Sequence, residues 1–409
     1  MSAAAARPAA EGDAILGLAP RVAVEPASLD EAAAAMRALA ADRLAVTFVG
    51  GGTDLELGAP PARLDAVLRT TRLAGIREYA PSDQIVAAEA GMTLGALQAH
   101  LARHGQRLAL DPPLPEHATL GGIVAANAFG PRRLRYGGVR DLVIGITVVR
   151  ADGVVARGGG KVVKNVAGFD LPRLLCGSLG TLGLVAEVVF RLHPLPERSA
   201  TVVARGLDAS AVGAATRAVL DARLEPVAAA ALPDGDRFLL AVRFEATGPG
   251  VGDALARACA GTGPLRGAEA LEGADEAALW ARHDLLRTGG DVRAKATFPP
   301  ARLEAAARAL RPLAGALRGG AVVLHPALGI AFVSGALDDA AAAASAIASA
   351  RAALRPGNGA LVLAAAPAAL RARVDPWGAV PPAIEVMRRL KRELDPDGRL
   401  APGRFAGGI

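Results

Sequence analysis

Three sets of glycines stand beside residues able to do chemistry, all in the first half of the chain. The first is Gly50-Gly51-Gly52-Thr53-Asp54, delivered by the apolar, β-branched run 46–49. Glycine has no Cβ, so such a loop takes positive φ freely and turns its N–H groups toward an anion at close range. A pyrophosphate is the natural guest. The run matches neither G-x-x-x-x-G-K-[ST] nor a helix-opening G-x-G-x-x-G, so alone it reads equally as a plain turn. The second set follows the proline-stiffened loop 111–115 and contains Thr119, Gly121, Gly122, Asn127 and Gly130. Its small residues would let a ligand lie on backbone, or would let a helix pack tightly on a sheet. The third is Gly177-Ser178-Leu179-Gly180-Thr181-Leu182-Gly183, which leads into an apolar run beginning Leu184-Val185.

Metal and nucleophile chemistry find less support. Cys176 and Cys259 lie far apart with no C-x-x-C, which excludes a self-contained iron–sulfur or zinc site of the usual kind. His325 has no ligand-spaced companion, and His283-Asp284 reads as a surface pair on a helix. No metal site is expected, and no side chain stands out as a catalytic base. Lys161, Lys164 and the cluster Arg132, Arg133, Arg135 and Arg140 are enough to attract an anion.

The elements that must position these residues are legible. Ser28-Leu29-Asp30-Glu31 opens a helix as a capping box. Strands are expected over 46–49, 64–68 and 85–90, and a helix capped by Thr93 over 94–104. Asp152-Gly153 between apolar runs predicts a hairpin over 143–157. Asp170 caps a short helix to 175, and a last strand runs over 184–192. Strand and helix thus alternate in short units. After the linker 195–197 the glycine motifs disappear. Strands near 202–205, 237–244, 293–298, 321–325, 330–333 and 361–364 alternate with Ala-rich helices, as in an antiparallel sheet with helices on one side. A helix over 384–394 and an extended coda end the chain.

Composition bounds the class. With 409 residues, 52% hydrophobic and 21% charged, the chain is globular and long enough for two or three domains. No apolar run reaches the ~18 uncharged residues a membrane helix needs. The Ala-rich N-terminus has no hydrophobic core of a secretory signal and reads as a loose tail. The net charge of +6 does not imply nucleic acid, since the basic residues form no aromatic-interleaved stripe. A reduced, cytoplasmic setting fits.

Together, the three glycine sets, the segment Lys161-Val162-Val163-Lys164-Asn165-Val166-Ala167-Gly168-Phe169-Asp170 and the coda Leu394-Asp395-Pro396-Asp397-Gly398-Arg399-Leu400-Ala401-Pro402-Gly403-Arg404 resemble one family. It is the FAD-linked oxidases of the vanillyl-alcohol-oxidase type, with a PCMH-type FAD-binding domain. Within it the likeness is nearest the FAD-binding subunits of glycolate oxidase, over about residues 15–197 and the coda. The resemblance implies an α+β fold: a tail (1–14), a two-part FAD-binding domain (15–197) and a second α+β domain with an antiparallel sheet and helices (198–380). The C-terminal helix and coda (381–409) would return to the first domain. It implies that Gly50, Gly51, Gly52, Thr53 and Asp54 form the pyrophosphate loop. Side chains at Gly51 or Gly121 would then occupy the diphosphate's place. Thr119, Gly121, Gly122, Asn127 and Gly130 would follow the ribityl and diphosphate path, and Gly180, Gly183 and Val185 would flank the cofactor. Lys164 and Asn165 match the family's K-N, where a salt bridge and a loop-capping amide are the alternative to flavin contact.

Departures shape the functional expectation. Members holding flavin covalently often carry a histidine in or near the first glycine loop; this loop has none, which implies non-covalent FAD. Relatives with G-S-E-G have a carboxylate where Leu179 stands, and their histidine-rich metal motif is reduced to His325. The resemblance implies an FAD-binding subunit of a complex that oxidises glycolate, a small 2-hydroxy acid, to glyoxylate. A second flavin subunit and an iron–sulfur subunit that accepts the electrons would be its partners. The alternatives are a non-catalytic, structural FAD-binding subunit, or a free-standing FAD-linked oxidase of another alcohol or hydroxy acid. The implied place is cytoplasmic, or peripheral at the inner face of the membrane through partners.

Overall fold

The computed structural model describes residues 6–161, 168–246, 250–260, 263 and 265–409. The chain divides into two compact units. The first gathers residues 1–130, 137–195 and 379–409; the second gathers 131–136 and 196–378.

The first unit holds two sheets. A four-stranded sheet has the order Ala6–Pro8, Val22–Val24, Ala66–Arg69, Val46–Val49. Its last three strands run parallel, with Val46 opposite Ala66 and Val49 opposite Arg69. Parallel strands are buried on both faces, and the run 46–49 is apolar enough for that. The helix Leu29–Ala41 covers one face with Ala32, Ala33, Met36 and Leu39. It starts where the sequence predicts: Ser28 Oγ accepts from Glu31 N at 3.2 Å, and the Glu31 carboxylate reaches the N–H of Ala27. The second sheet is antiparallel, in the order Ile76–Ala80, Ile85–Glu89, Leu184–Arg191, Val143–Val149, Val155–Gly159. Its last pair is the hairpin predicted from Asp152-Gly153, and Gly153 takes φ +79° there.

Residues 6–14 correct the expected tail. Ala6–Pro8 pairs antiparallel with Val22–Val24. Asp13, 2% exposed, accepts from Arg7 Nη1 at 2.7 Å, Arg69 Nε at 2.8 Å and Ala10 N at 2.9 Å. The Arg7 hydrogen bond foremost, then Ala10 and Arg69, hold its carboxyl well below the usual carboxylate range. Composition shows an Ala-rich stretch; it does not show that one carboxylate will bind two distant arginines.

The second unit is built on one eight-stranded sheet, every pairing antiparallel, in the order Glu269–Leu271, Arg198–Leu207, Arg237–Ala246, Ala228–Asp234, Leu317–His325, Ile330–Leu337, Val292–Thr297, Ala360–Ala365. Helices Ala209–Asp221, Gly250–Cys259, Leu303–Gly315 and Ala340–Leu354 bury Val212, Val251, Leu310 and Ile347 in its larger core. The expectation of helices on one side fails for Gly273–Thr288. That helix sets Leu279 and Trp280 against Val203, Leu239 and Ala241, whose strand neighbours Val202, Leu240 and Val242 face the other core. Alternate residues of a strand face opposite sides, so this helix covers the second face.

Among the described residues no helix is long and apolar enough to cross a membrane.

Candidate cofactor site

The strand Val46–Val49 ends on the first glycine loop, and two other segments close on that loop from within the same unit. Thr119 caps the helix Leu120–Ala126, its Oγ1 accepting from Gly122 N at 3.3 Å. The third set precedes the strand Leu184–Arg191, which lies next to Val143–Val149. Together they line one open cleft.

Of the residues expected at the site, Gly50, Gly51, Gly52, Thr53, Asp54, Thr119, Gly121, Gly122, Gly180, Gly183 and Val185 line this cleft. Asn127 and Gly130 do not. Asn127 ends its helix in the left-handed conformation (φ 51°), and its Oδ1 accepts from Cys176 Sγ at 3.4 Å. Gly130 lies against the proline loop: a Cβ there would meet Asp111 O at 1.8 Å. Lys164 and Asn165 lie outside the described residues. Lys161 pairs with Glu78. Within the second unit, Arg132 pairs with Glu245 at 2.9 Å and Arg135 with Glu225 at 3.0 Å. Two of the four clustered arginines are thus already paired with carboxylates.

The glycines do a different job from the one expected. A Cβ on Gly51 would sit 1.7 Å from the His117 carbonyl oxygen, and one on Gly121 would sit 2.7 Å from Ala90 Cβ. Neither would first meet a ligand. A Cβ on Gly50 would meet Thr119 Oγ1 at 2.1 Å, and one on Gly180 would meet Phe48 at 2.9 Å. These glycines let the three segments close on one another, and the cleft is the space left between them. Gly52 is the open one: φ is +78° and nothing lies within 4 Å.

Other lining residues, Thr47, Thr70, Leu179, Leu184 and Arg404 among them, were not expected to hold the cofactor. Thr47 Oγ1 is buried with no hydrogen-bond partner, a costly state unless a ligand or water completes it. A small-residue cradle, an orphaned hydroxyl and two more buried threonines, Thr70 and Thr119, fit the phosphates and hydroxyls of a dinucleotide.

The histidines correct another expectation. His283 and His325 are both 0% exposed, and their Nε2 atoms lie 2.8 Å apart. His283 Nδ1 lies 2.9 Å from Asp284 Oδ1. A carboxylate only accepts, so His283 carries its proton on Nδ1, its Nε2 accepts, and His325 donates from Nε2. His325 Nδ1 is then a bare lone pair, and it has no hydrogen-bond partner. Among the described residues no three His, Cys, Asp or Glu side chains gather as a metal ion would require.

Burial foremost pushes both imidazole pKa values below the usual histidine range; for His325 the nearby His283 and Arg287 add to it, whereas Asp284 partly opposes it at His283. Above pH ~6.5 both are neutral folded and unfolded. As pH falls below that, the unfolded chain binds protons the folded chain refuses, so stability drops by about 1.4 kcal/mol per pH unit for each histidine until the folded pair titrates. Urea melts at descending pH should therefore show a steeper acid-side loss for the native chain than for His325→Leu. Parallel losses would rule the pair out as the cause.

A family described as FAD binding domain matches residues 20–159. Glycolate oxidase subunit GlcE of Escherichia coli strain K12 is 38% identical over 159 residues, 39% of this chain and 45% of that protein. D-lactate dehydrogenase of Archaeoglobus fulgidus is 37% identical over 185 residues, 45% of this chain and 41% of that protein. Glycolate oxidase subunit GlcD of Bacillus subtilis strain 168 is 35% identical over 195 residues, 47% of this chain and 41% of that protein. In each case the match spans less than half of the relative. A solved structure of alkyldihydroxyacetonephosphate synthase shares the fold at TM-score 0.71 and 16% identity, over 95% of this chain and 78% of that one.

Proposed function

We propose, from the match of residues 20–159 to an FAD binding domain, that the chain is the FAD-binding subunit of a complex of the FAD-linked oxidase type that oxidises a small 2-hydroxy acid. Glycolate is the proposed substrate, and an iron–sulfur subunit beside a second flavin subunit the proposed route for electrons. The observation that carries this reading is the convergence of the three glycine sets on one cleft, together with the likeness to GlcE and GlcD.

Bound FAD supplies a two-electron acceptor able to release its electrons singly. The chain's own residues bind and orient it: the first loop offers backbone N–H groups, Thr47, Thr70 and Thr119 offer hydroxyls, and apolar Leu179, Leu184 and Val185 exclude water. FAD is held without a covalent bond, since the first loop carries no histidine.

A second reading, a structural flavin subunit without its own turnover, draws on a specific observation. The described cleft residues include no histidine, and Asp54 is the only carboxylate among them. The second unit's buried histidines are hydrogen-bonded to each other.

One purification addresses both readings. The chain purified alone should be yellow and should release all its flavin to the supernatant on acid precipitation. Anaerobic glycolate or D-lactate should bleach it slowly or not at all. A tagged chain from its native cell should bring down a second flavoprotein and an iron–sulfur protein. A lone chain oxidising glycolate with dye acceptors at ordinary enzyme rates, on the order of 1–10³ s⁻¹, would make it a free-standing oxidase. A colourless chain that takes up no added FAD would defeat the cofactor assignment.

A further inference from the structure

Among the described residues lining the cleft, only Asp54 and Arg404 carry charge. Arg404 reaches it from the far end of the sequence. Leu400 bridges Val46 in parallel, Ala62 N donates to Pro402 O at 2.7 Å, and Ala59 N donates to Arg404 O at 3.1 Å. Gly403, at φ +81°, turns the chain there with its Cβ position 3.0 Å from Ala62 Cβ. The Arg404 side chain is 3% exposed, and its Nη2 donates to Leu55 O at 2.8 Å and Leu57 O at 2.7 Å. Those two carbonyls belong to the stretch into which the first glycine loop runs. Arg404 thus holds the loop's exit through Nη2 and borders the cleft.

The charge balance calls for it. A dinucleotide's diphosphate brings about two negative charges into a site where the low dielectric makes an uncompensated anion costly. Backbone N–H groups supply only partial charges. An always-charged guanidinium suits phosphate oxygens as a counter-charge, while both of its Nη2 protons are donated to Leu55 O and Leu57 O. Thr47, whose buried hydroxyl has no partner, lines the same cleft and points independently to a polar guest there.

We propose that Arg404 is a cofactor-binding residue. Its guanidinium faces the diphosphate of FAD as the counter-charge, while its bonds to Leu55 and Leu57 hold the glycine loop in place. This rests on the FAD reading above and extends it to a residue that lies outside the matched region 20–159.

The test is FAD titration of full-length apoprotein by flavin fluorescence at about 0.05 and 0.5 M salt, where screening differs several-fold. Native chain, Arg404→Lys and Arg404→Gln are compared, with the melting temperature of each apoprotein. The native chain should bind FAD more weakly at high salt. Arg404→Gln should bind about 10-fold or more weakly at low salt and lose most of the salt dependence. Arg404→Lys should fall between them and keep it, and it decides the matter alone if the glutamine variant fails to fold. Arg404→Gln binding FAD like the native chain overturns the proposal. So does Arg404→Lys behaving like Arg404→Gln, which would reduce Arg404 to a brace for the loop. If the native chain itself takes no FAD, the cofactor reading has failed rather than this one.

Discussion

Gly51→Ala should lower FAD affinity by about 10- to 100-fold, the consequence of overpacking by roughly 1–3 kcal/mol at about 1.4 kcal/mol per decade. The reason lies in the protein rather than in the ligand. The new methyl would sit 1.7 Å from the His117 carbonyl oxygen and 2.7 Å from its carbon, and both are backbone that cannot rotate away. The first loop must move off the segment that leads into Thr119, and the cleft between them changes shape. Two controls separate this from general fragility. Gly52→Ala adds a methyl with nothing within 4 Å but at φ +78°, so it costs only the left-handed strain, about 1–2 kcal/mol. Gly315→Ala, at the end of a helix in the second unit with nothing within 4 Å, should leave FAD affinity untouched. Isothermal titration of the three apoproteins gives the ranking. Full affinity in Gly51→Ala would mean that the two segments are not locked together as the structure has them.

That variant also shows how much of the site could be read beforehand. Glycines are legible because a missing Cβ marks close approach, and most of those singled out do border the cleft. What the residue type cannot say is what approaches. At Gly51 and Gly130 it is another stretch of the same backbone, and only Gly52 is open. The residue type thus marks where segments come close, not which partner comes close. Arg404 was hidden for a different reason: it reaches Leu55 and Leu57 across almost the whole chain, and no local pattern records that return. Thr47 looked like a β-branched strand residue and nothing more.

In the second unit the limits are those of periodicity. The strand Ala228–Asp234 was missed because its alanines carry no β-branched signal, although it pairs along its length with Arg237–Ala246. His283 beside Asp284 looks like an exposed pair when only neighbours in sequence are considered. It is buried because the Gly273–Thr288 helix packs on the sheet's second face, a face the alternating strands offered but did not advertise. Its partner, His325, comes from a strand that no spacing rule links to that helix. The expected helix and strand positions were mostly sound; the pairing of distant side chains was not available from them.

Lys391→Met should cost about 3–5 kcal/mol, the usual result of removing one partner from a buried ion pair. Lys391 Nζ spends its three protons on Thr181 O at 2.8 Å, Asp395 Oδ2 at 2.7 Å and Leu400 O at 2.8 Å. Burial pulls its pKa down, and Asp395 pushes it back toward the charged form. Asp395, 1% exposed, also accepts from Leu400 N at 2.7 Å. Methionine fills similar space but leaves the Asp395 carboxylate buried with one backbone N–H. For a unit of this size the loss corresponds to roughly 6–20 °C in melting temperature, at about 2–4 °C per kcal/mol. The three acceptors explain why the effect should reach the cofactor. Thr181 belongs to the third glycine set, and Leu400 bridges Val46 on the strand that carries the first. A loosened Lys391 frees the coda from both, and Arg404 lies four residues beyond Leu400. FAD affinity should fall together with stability. Adding Asp395→Asn should recover part of the loss, because the stranded charge is removed, so the double variant should melt above the sum of the singles. If Lys391→Met melts with the native chain, or if Asp395→Asn deepens its loss additively, the buried pair is not what fastens the coda to the two glycine sets.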